Sequence, residues 1–247
     1  MNDLKAVGVF HFGNPDKSGP LGSLKETLAT APDPTDTLIV LPEGFNVPGG
    51  FYPGNDPDPS VRSALLELSE AQGIAFVAGL IDDDPRYNSA YLIDAACKES
   101  IRLLSRKRQQ PGQNYISDPQ YESEPVLHRG FGIASLICHD LKVCDDDTRK
   151  NLIDHPAWAE CGRRILCVPA CSTNSRQLEP WSALWTHAVC IAAANGSMQD
   201  SSFVQGLGFE TKKVHSRVSE SAYYCHDLNG ILLSNSLPTG WHRRVEV

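Results

Sequence analysis

Short runs that are apolar almost throughout, such as TLIVL, IAFVAGLI and ILCVPA, recur along this 247-residue chain and alternate with segments whose apolar residues fall at helical spacing. Buried strands alternating with amphipathic helices define an α/β fold, because each helix hides its apolar stripe on a sheet face. A hydrophobic content of 41% is enough for a substantial core, and the length suits one compact domain over residues 1–247. VGVFHF, DTLIVLPEG, IAFVAGLID, NSAYLIDA, SIRLLSRK, GIASLIC, RRILCVPAC and VCIAAANG are expected as strands. LGSLKETLATA and PWSALWTHA are expected as helices, as is SVRSALLELSEAQG, with Ser60 as its N-cap and Gly73 closing it. Pro156 should interrupt the helical pattern of DDDTRKNLIDHPAWAECG, and QQPGQNYISDPQYESEPV should be a long loop. SAYYCHD and GILLSN are further strand-like runs, and Asp82 to Asp84 are expected to be a solvated turn.

The formal charge of -8, with no long block of Lys or Arg, argues against nucleic-acid binding and favours a small-molecule partner. No apolar run approaches the roughly 20 residues of a membrane span. Met1 leads almost directly into AVGVFHF, which leaves no room for a signal peptide, so the expectation is a soluble cytoplasmic protein without membrane partners. The eight cysteines are scattered, as reduced thiols usually are. Cys161, Cys167 and Cys171 lack the paired spacing of a structural zinc site, and no metal is expected there.

Polar residues at strand exits carry the chemistry, since ligands bind at that end of open α/β sheets. Glu43 ends LIVLPE, Lys107 ends IRLLSRK and Cys138 ends GIASLIC. Taken singly, each has an ordinary structural explanation: a cap, a solvated cation, a core thiol. Together they form a base, a cation and a nucleophile, the set that acyl transfer needs. A carboxylate can take the thiol proton, and an ammonium with a backbone N–H can stabilise a developing oxyanion. Glu43 is the candidate base, Lys107 the oxyanion stabiliser with the His139 N–H, and Cys138 the nucleophile. His139 itself is expected near the substrate. No metal or organic cofactor is required.

On LIVLPEGF, YNSAYLID, LLSRKRQ, GIASLICHD, ILCVPACST and IAAANG, in that order, the chain resembles the nitrilase, or carbon-nitrogen hydrolase, superfamily over roughly Val7 to Gly196. The resemblance implies a four-layer α-β-β-α sandwich, a Glu43-Lys107-Cys138 triad, and hydrolysis of non-peptide C–N bonds in an amide, carbamoyl compound or nitrile. It also implies association into a homodimer or higher homo-oligomer. A supplementary glutamate is frequent between the family's lysine and cysteine; Glu122 and Glu124 are candidates, although the usual position falls nearer Gln113 and Asn114. Phe51 and Tyr52 either wall the pocket or cover the sheet edge. LKVCDDDTR keeps only Arg149 of a family Phe-Pro-Glu-then-Arg pattern, and THAVCIAAAN lacks the usual acid and arginine. These departures motivate an alternative, a catalytically silent relative that binds a small ligand or protein. A Cys-His enzyme of the glutamine amidotransferase type is a third reading.

Overall fold

The computed structural model describes residues 3–11, 19–30, 34–47, 56–108, 116–121, 123–143, 146–161 and 164–170, with strands at 188–193, 201–205, 213–214, 222–227 and 232–236. Phe51, Tyr52, Gln113, Asn114, Glu122, Cys144, Cys171 and residues 180–187 of the expected helix PWSALWTHA lie outside the described residues, while its last residue, Ala188, opens a strand.

One sheet contains β1 (Ala6–His11), β2 (Thr37–Val40), β3 (Ala75–Ile81), β4 (Asn88–Ile93) and β5 (Ile101–Arg106), extended beyond β1 by β12 (Ala222–Asp227) and β13 (Leu232–Ser236). The second contains β6 (Val126–His128), β7 (Phe131–Ser135), β8 (Arg164–Ala170), β9 (Ala188–Ala193), β10 (Ser201–Gln205) and β11 (Lys213–Val214). β1, β2 and β3 run parallel, as do β7, β8 and β9. The N-terminal β1 is flanked by β12 from far along the chain, antiparallel, so the first sheet joins both ends of the sequence.

Every second residue of a strand points to the same face, and the core follows that period. Leu38, Val40, Ala75, Val77 and Leu92 of the first sheet pack with Phe131, Ile133, Ile165 and Cys167 of the second, forming the layer between them. The intervening residues point outward. Ile39, Phe76, Ala78 and Leu80 meet Leu24 and Leu28 of α1 (Gly19–Thr30) and Val61 and Leu65 of α2 (Ser60–Gln72). Ala134, Leu166 and Val168 meet Leu152 of α4 (Asp146–Ile153) and Trp158. Each such leucine, removed from water, contributes about 1.5–3 kcal/mol. Trp158 lies so close to β7 that a Cβ on Gly132 would stand 2.3 Å from its ring, which excludes any larger residue there.

The mixed α/β class is the one expected, and local signals set most elements. α2 ends on Gly73, left-handed at φ 67°, whose N–H donates to the Ser69 carbonyl. Its start differs from expectation. Ser60 is the first helical residue and not the cap; Asp58 Oδ1 accepts from both the Ser60 N–H and hydroxyl, so the carboxylate takes the capping role two residues upstream. Pro156 ends the helical pattern as expected and opens a 3-10 helix at Pro156–Glu160. β6 starts on Val126, the last residue of the expected loop, and was not anticipated because a three-residue strand is too short to show a period. Asp82 is no solvated turn residue either: it accepts from Arg62, Ser89 and Tyr91, and burial together with this carboxylate pushes the Tyr91 phenol up to about 12. Among the described residues no helix is long and apolar enough to cross a membrane.

Candidate active site

Three strand exits meet at one end of the sheet pair. The chain leaves β2 through Leu41-Pro42-Glu43, and the Glu43 N–H donates to the Ala170 carbonyl at the end of β8, 3.3 Å away. The Cys138 N–H donates to the Pro169 carbonyl at 2.9 Å. Successive carbonyls of one strand therefore anchor the backbones of Glu43 and Cys138, one from each sheet. Close approach of the sheets is what makes this possible. A Cβ on Gly79 of β3 would lie 2.7 Å from both Glu43 Cα and Pro169 Cβ, so only a hydrogen fits. We expect Gly79→Ala to cost about 1–3 kcal/mol by overpacking. It should also depress activity by displacing Glu43; a thermal melt and a rate measured together check both effects.

Lys107 follows β5 and is 2% exposed, while Glu43 is 1% exposed. The Lys107 Nζ lies 2.5 Å from Glu43 Oε1, and the Asn88 side-chain amide donates to the same oxygen at 2.6 Å. Asn88 opens β4, beside β5, and its carbonyl accepts the Lys107 N–H at 2.8 Å, which fixes the backbone carrying the cation. Burial of a charge is costly unless an opposite charge and hydrogen bonds accompany it, and Glu43 and Lys107 supply both for each other.

Cys138 has φ 46°, a left-handed conformation uncommon for a residue with a Cβ. The turn is held from both sides, by the Pro169 carbonyl and by the Leu141 N–H donating to the Cys138 carbonyl at 3.2 Å. It leads directly into α3 (Asp140–Val143). Asp140, 2% exposed, accepts the Arg108 N–H at 2.9 Å. That bond ties the residue after Lys107 to the residue two beyond Cys138. The Arg108 guanidinium continues the link to Thr148 of α4 at 2.8 Å.

His139 lies at the turn, partly buried, and makes no hydrogen bond to a described residue. Glu124 is exposed and lines a cleft with Arg108, Leu136, Thr148 and His155, forming no ion pair with Lys107. Arg149 pairs with Asp146 one turn earlier in α4. Two residues of the site carried no assigned role in the sequence. Asn88 stands within YNSAYLID and Asp140 closes GIASLICHD; the partners that give them meaning are 45 and 32 residues away.

The fold is that of nitrilase-superfamily amidases. A variant of the amidase from Nesterenkonia sp. AN1, bearing the Michael adduct of acrylamide at its active-site cysteine, superposes with a TM-score of 0.63 at 18% identity, over 91% of this chain and 93% of that one. An amidase structure from Nesterenkonia sp. gives 0.65 at 17%, over 94% and 92%. A cysteine-to-alanine variant of the AN1 amidase in complex with butyramide gives 0.62 at 16%, over 92% of both chains. No protein-family model and no curated protein matches the sequence.

Proposed function

We propose that this protein is a cysteine-dependent hydrolase of non-peptide C–N bonds in a small amide, acting through a thioester. The observation that carries the reading is the buried Glu43–Lys107 pair, 2.5 Å apart, beside a strained cysteine turn whose backbone hangs from the carbonyl next to the one that holds Glu43. The neighbours' active-site cysteine and their acrylamide and butyramide ligands support the substrate class.

In this mechanism Glu43 accepts the Cys138 thiol proton as sulfur attacks the carbonyl carbon. Negative charge builds on the substrate oxygen, where the Lys107 ammonium and the His139 N–H stabilise it. Glu43 returns the proton to the departing nitrogen, and ammonia leaves as the C–N bond breaks. A water deprotonated by Glu43 then attacks the thioester, and the thiol is regenerated as the acid departs. Asn88 is a positioning residue, because it holds Glu43 Oε1 and the Lys107 backbone in one frame. A carbamoyl compound or a nitrile would use the same three groups.

The test is an ammonia-release screen over short aliphatic, aromatic and carbamoyl amides and nitriles, with Cys138→Ala as control. At least one substrate should turn over, and the variant should lose about 1000-fold or more. Unchanged turnover in the variant refutes the assignment of Cys138. No ammonia from any substrate, with a small amide still raising the melting temperature, favours the silent binding relative.

A further inference from the structure

The opposite end of the sheet pair holds a second cluster of reactive side chains. β4 runs from Asn88, at the proposed active site, to Ile93, and Asp94 follows at its far end, roughly 20 Å along the strand. There Asp94 and Cys97 occupy the turn joining β4 to β5, while His128 ends β6 of the other sheet. One ligand atom from each of the three lies within 4.8 Å of the others.

The cluster has the features of a metal site. The Cys97 Sγ is 3.6 Å from His128 Nδ1. His128 is only 6% exposed, and its Nε2 lies 3.0 Å from Asp94 Oδ2, yet that nitrogen makes no well-directed hydrogen bond with a described residue. Buried polar atoms are normally well partnered, and a cation on the imidazole would complete the set here. Asp94 is prepared from behind. Its Oδ1 accepts the Ala96 N–H at 2.9 Å, which leaves Oδ2 turned toward the imidazole. Arg129 also reaches Oδ2, at 3.5 Å, but its closer partner is Asp36, so a cation could take the Asp94 oxygen without stranding the guanidinium.

We propose that Asp94, Cys97 and His128 bind a zinc-type divalent cation that staples the β4–β5 turn to β6. One sulfur, one nitrogen and one oxygen suit a borderline-soft ion and not calcium or magnesium, which take oxygen sets. Tetrahedral bonds of zinc length place ligand atoms about 3.3–3.8 Å apart; Cys97 and Asp94 face different nitrogens of the imidazole, so the ring turns to present one nitrogen to both as the site closes. Binding exchanges the Cys97 thiol proton, released to solvent, for the cation; the Asp94 carboxylate and the thiolate then match its two charges. Cys97 is partly exposed, which leaves the fourth position open to water. The ion takes no part in the proposed hydrolysis and acts on stability.

Titration of the metal-stripped, full-length protein with Co²⁺ tests this. We expect a thiolate-to-cobalt charge-transfer band in the near ultraviolet saturating at one equivalent, bleached by zinc, and a zinc-dependent rise in melting temperature. Cys97→Ser should abolish the band and the rise, His128→Gln should weaken both, and Cys138→Ala should keep both. Absence of a band in the parent protein overturns the proposal. So does a band that survives in Cys97→Ser, or in a folded His128→Gln protein at full strength. A band lost in Cys138→Ala instead places the ion at the other thiol and equally overturns it.

Discussion

Lys107→Met is expected to destabilise the fold by about 3–5 kcal/mol and to abolish turnover, since it leaves the Glu43 carboxylate buried without its cation. Both groups are almost wholly shielded from water, so solvent does not soften the loss. A second substitution separates this charge effect from simple damage. In Lys107→Met/Glu43→Gln neither member of the pair keeps a charge, and the glutamine oxygen can still accept from the Asn88 amide. Most of the lost stability should therefore return while activity stays absent. Urea unfolding of the parent, the single variant and the double variant reads out the cycle. Equal stability of single and double variants would show that the pair is not held together by its charges.

Arg129→Met should produce a loss of similar size, about 3–5 kcal/mol near neutral pH, at the other end of the molecule. Arg129 is buried between Asp36 and Asp94 and pairs with both. Lys5, hydrogen-bonded to Asp36 at 2.6 Å, together with Arg129 holds that carboxyl below the usual range against the effect of burial. Burial pushes Asp94 up, but the adjoining His128, the Ala96 N–H and Arg129 outweigh it and bring this carboxyl down too. Groups whose folded pKa is depressed add stability above the unfolded carboxylate value, about 4, and lose it as pH falls through the lower folded value. The gap between parent and Arg129→Met should accordingly be widest near pH ~7 and narrow in acid as both carboxylates protonate. Unfolding curves across that range check it, and a gap that stays constant to pH ~2 would contradict the linkage.

Strand and helix positions were legible because their signals are local. The apolar runs of β2, β3 and β8 announce strands covered on both faces, and Gly73 announces a left-handed helix end. Glu43, Lys107 and Cys138 stood out for the same reason: each is a chemically capable residue at the exit of a strand-like run. β6, with three residues, gave no period to read, and the Asp58 cap was hidden by a serine that fitted the same role two residues later.

The order of the elements, the polar residues at their ends and the chemical types available there were properties of the sequence alone. Tertiary structure decided which of those residues meet: Asn88 with Glu43, Asp140 with the Arg108 backbone, Gly79 against Pro169, and His128 with Asp94 and Cys97. The physical reason is that a local pattern sets which face a side chain occupies. The register of one sheet upon the other sets its partner, and that register comes from packing among residues far apart along the chain.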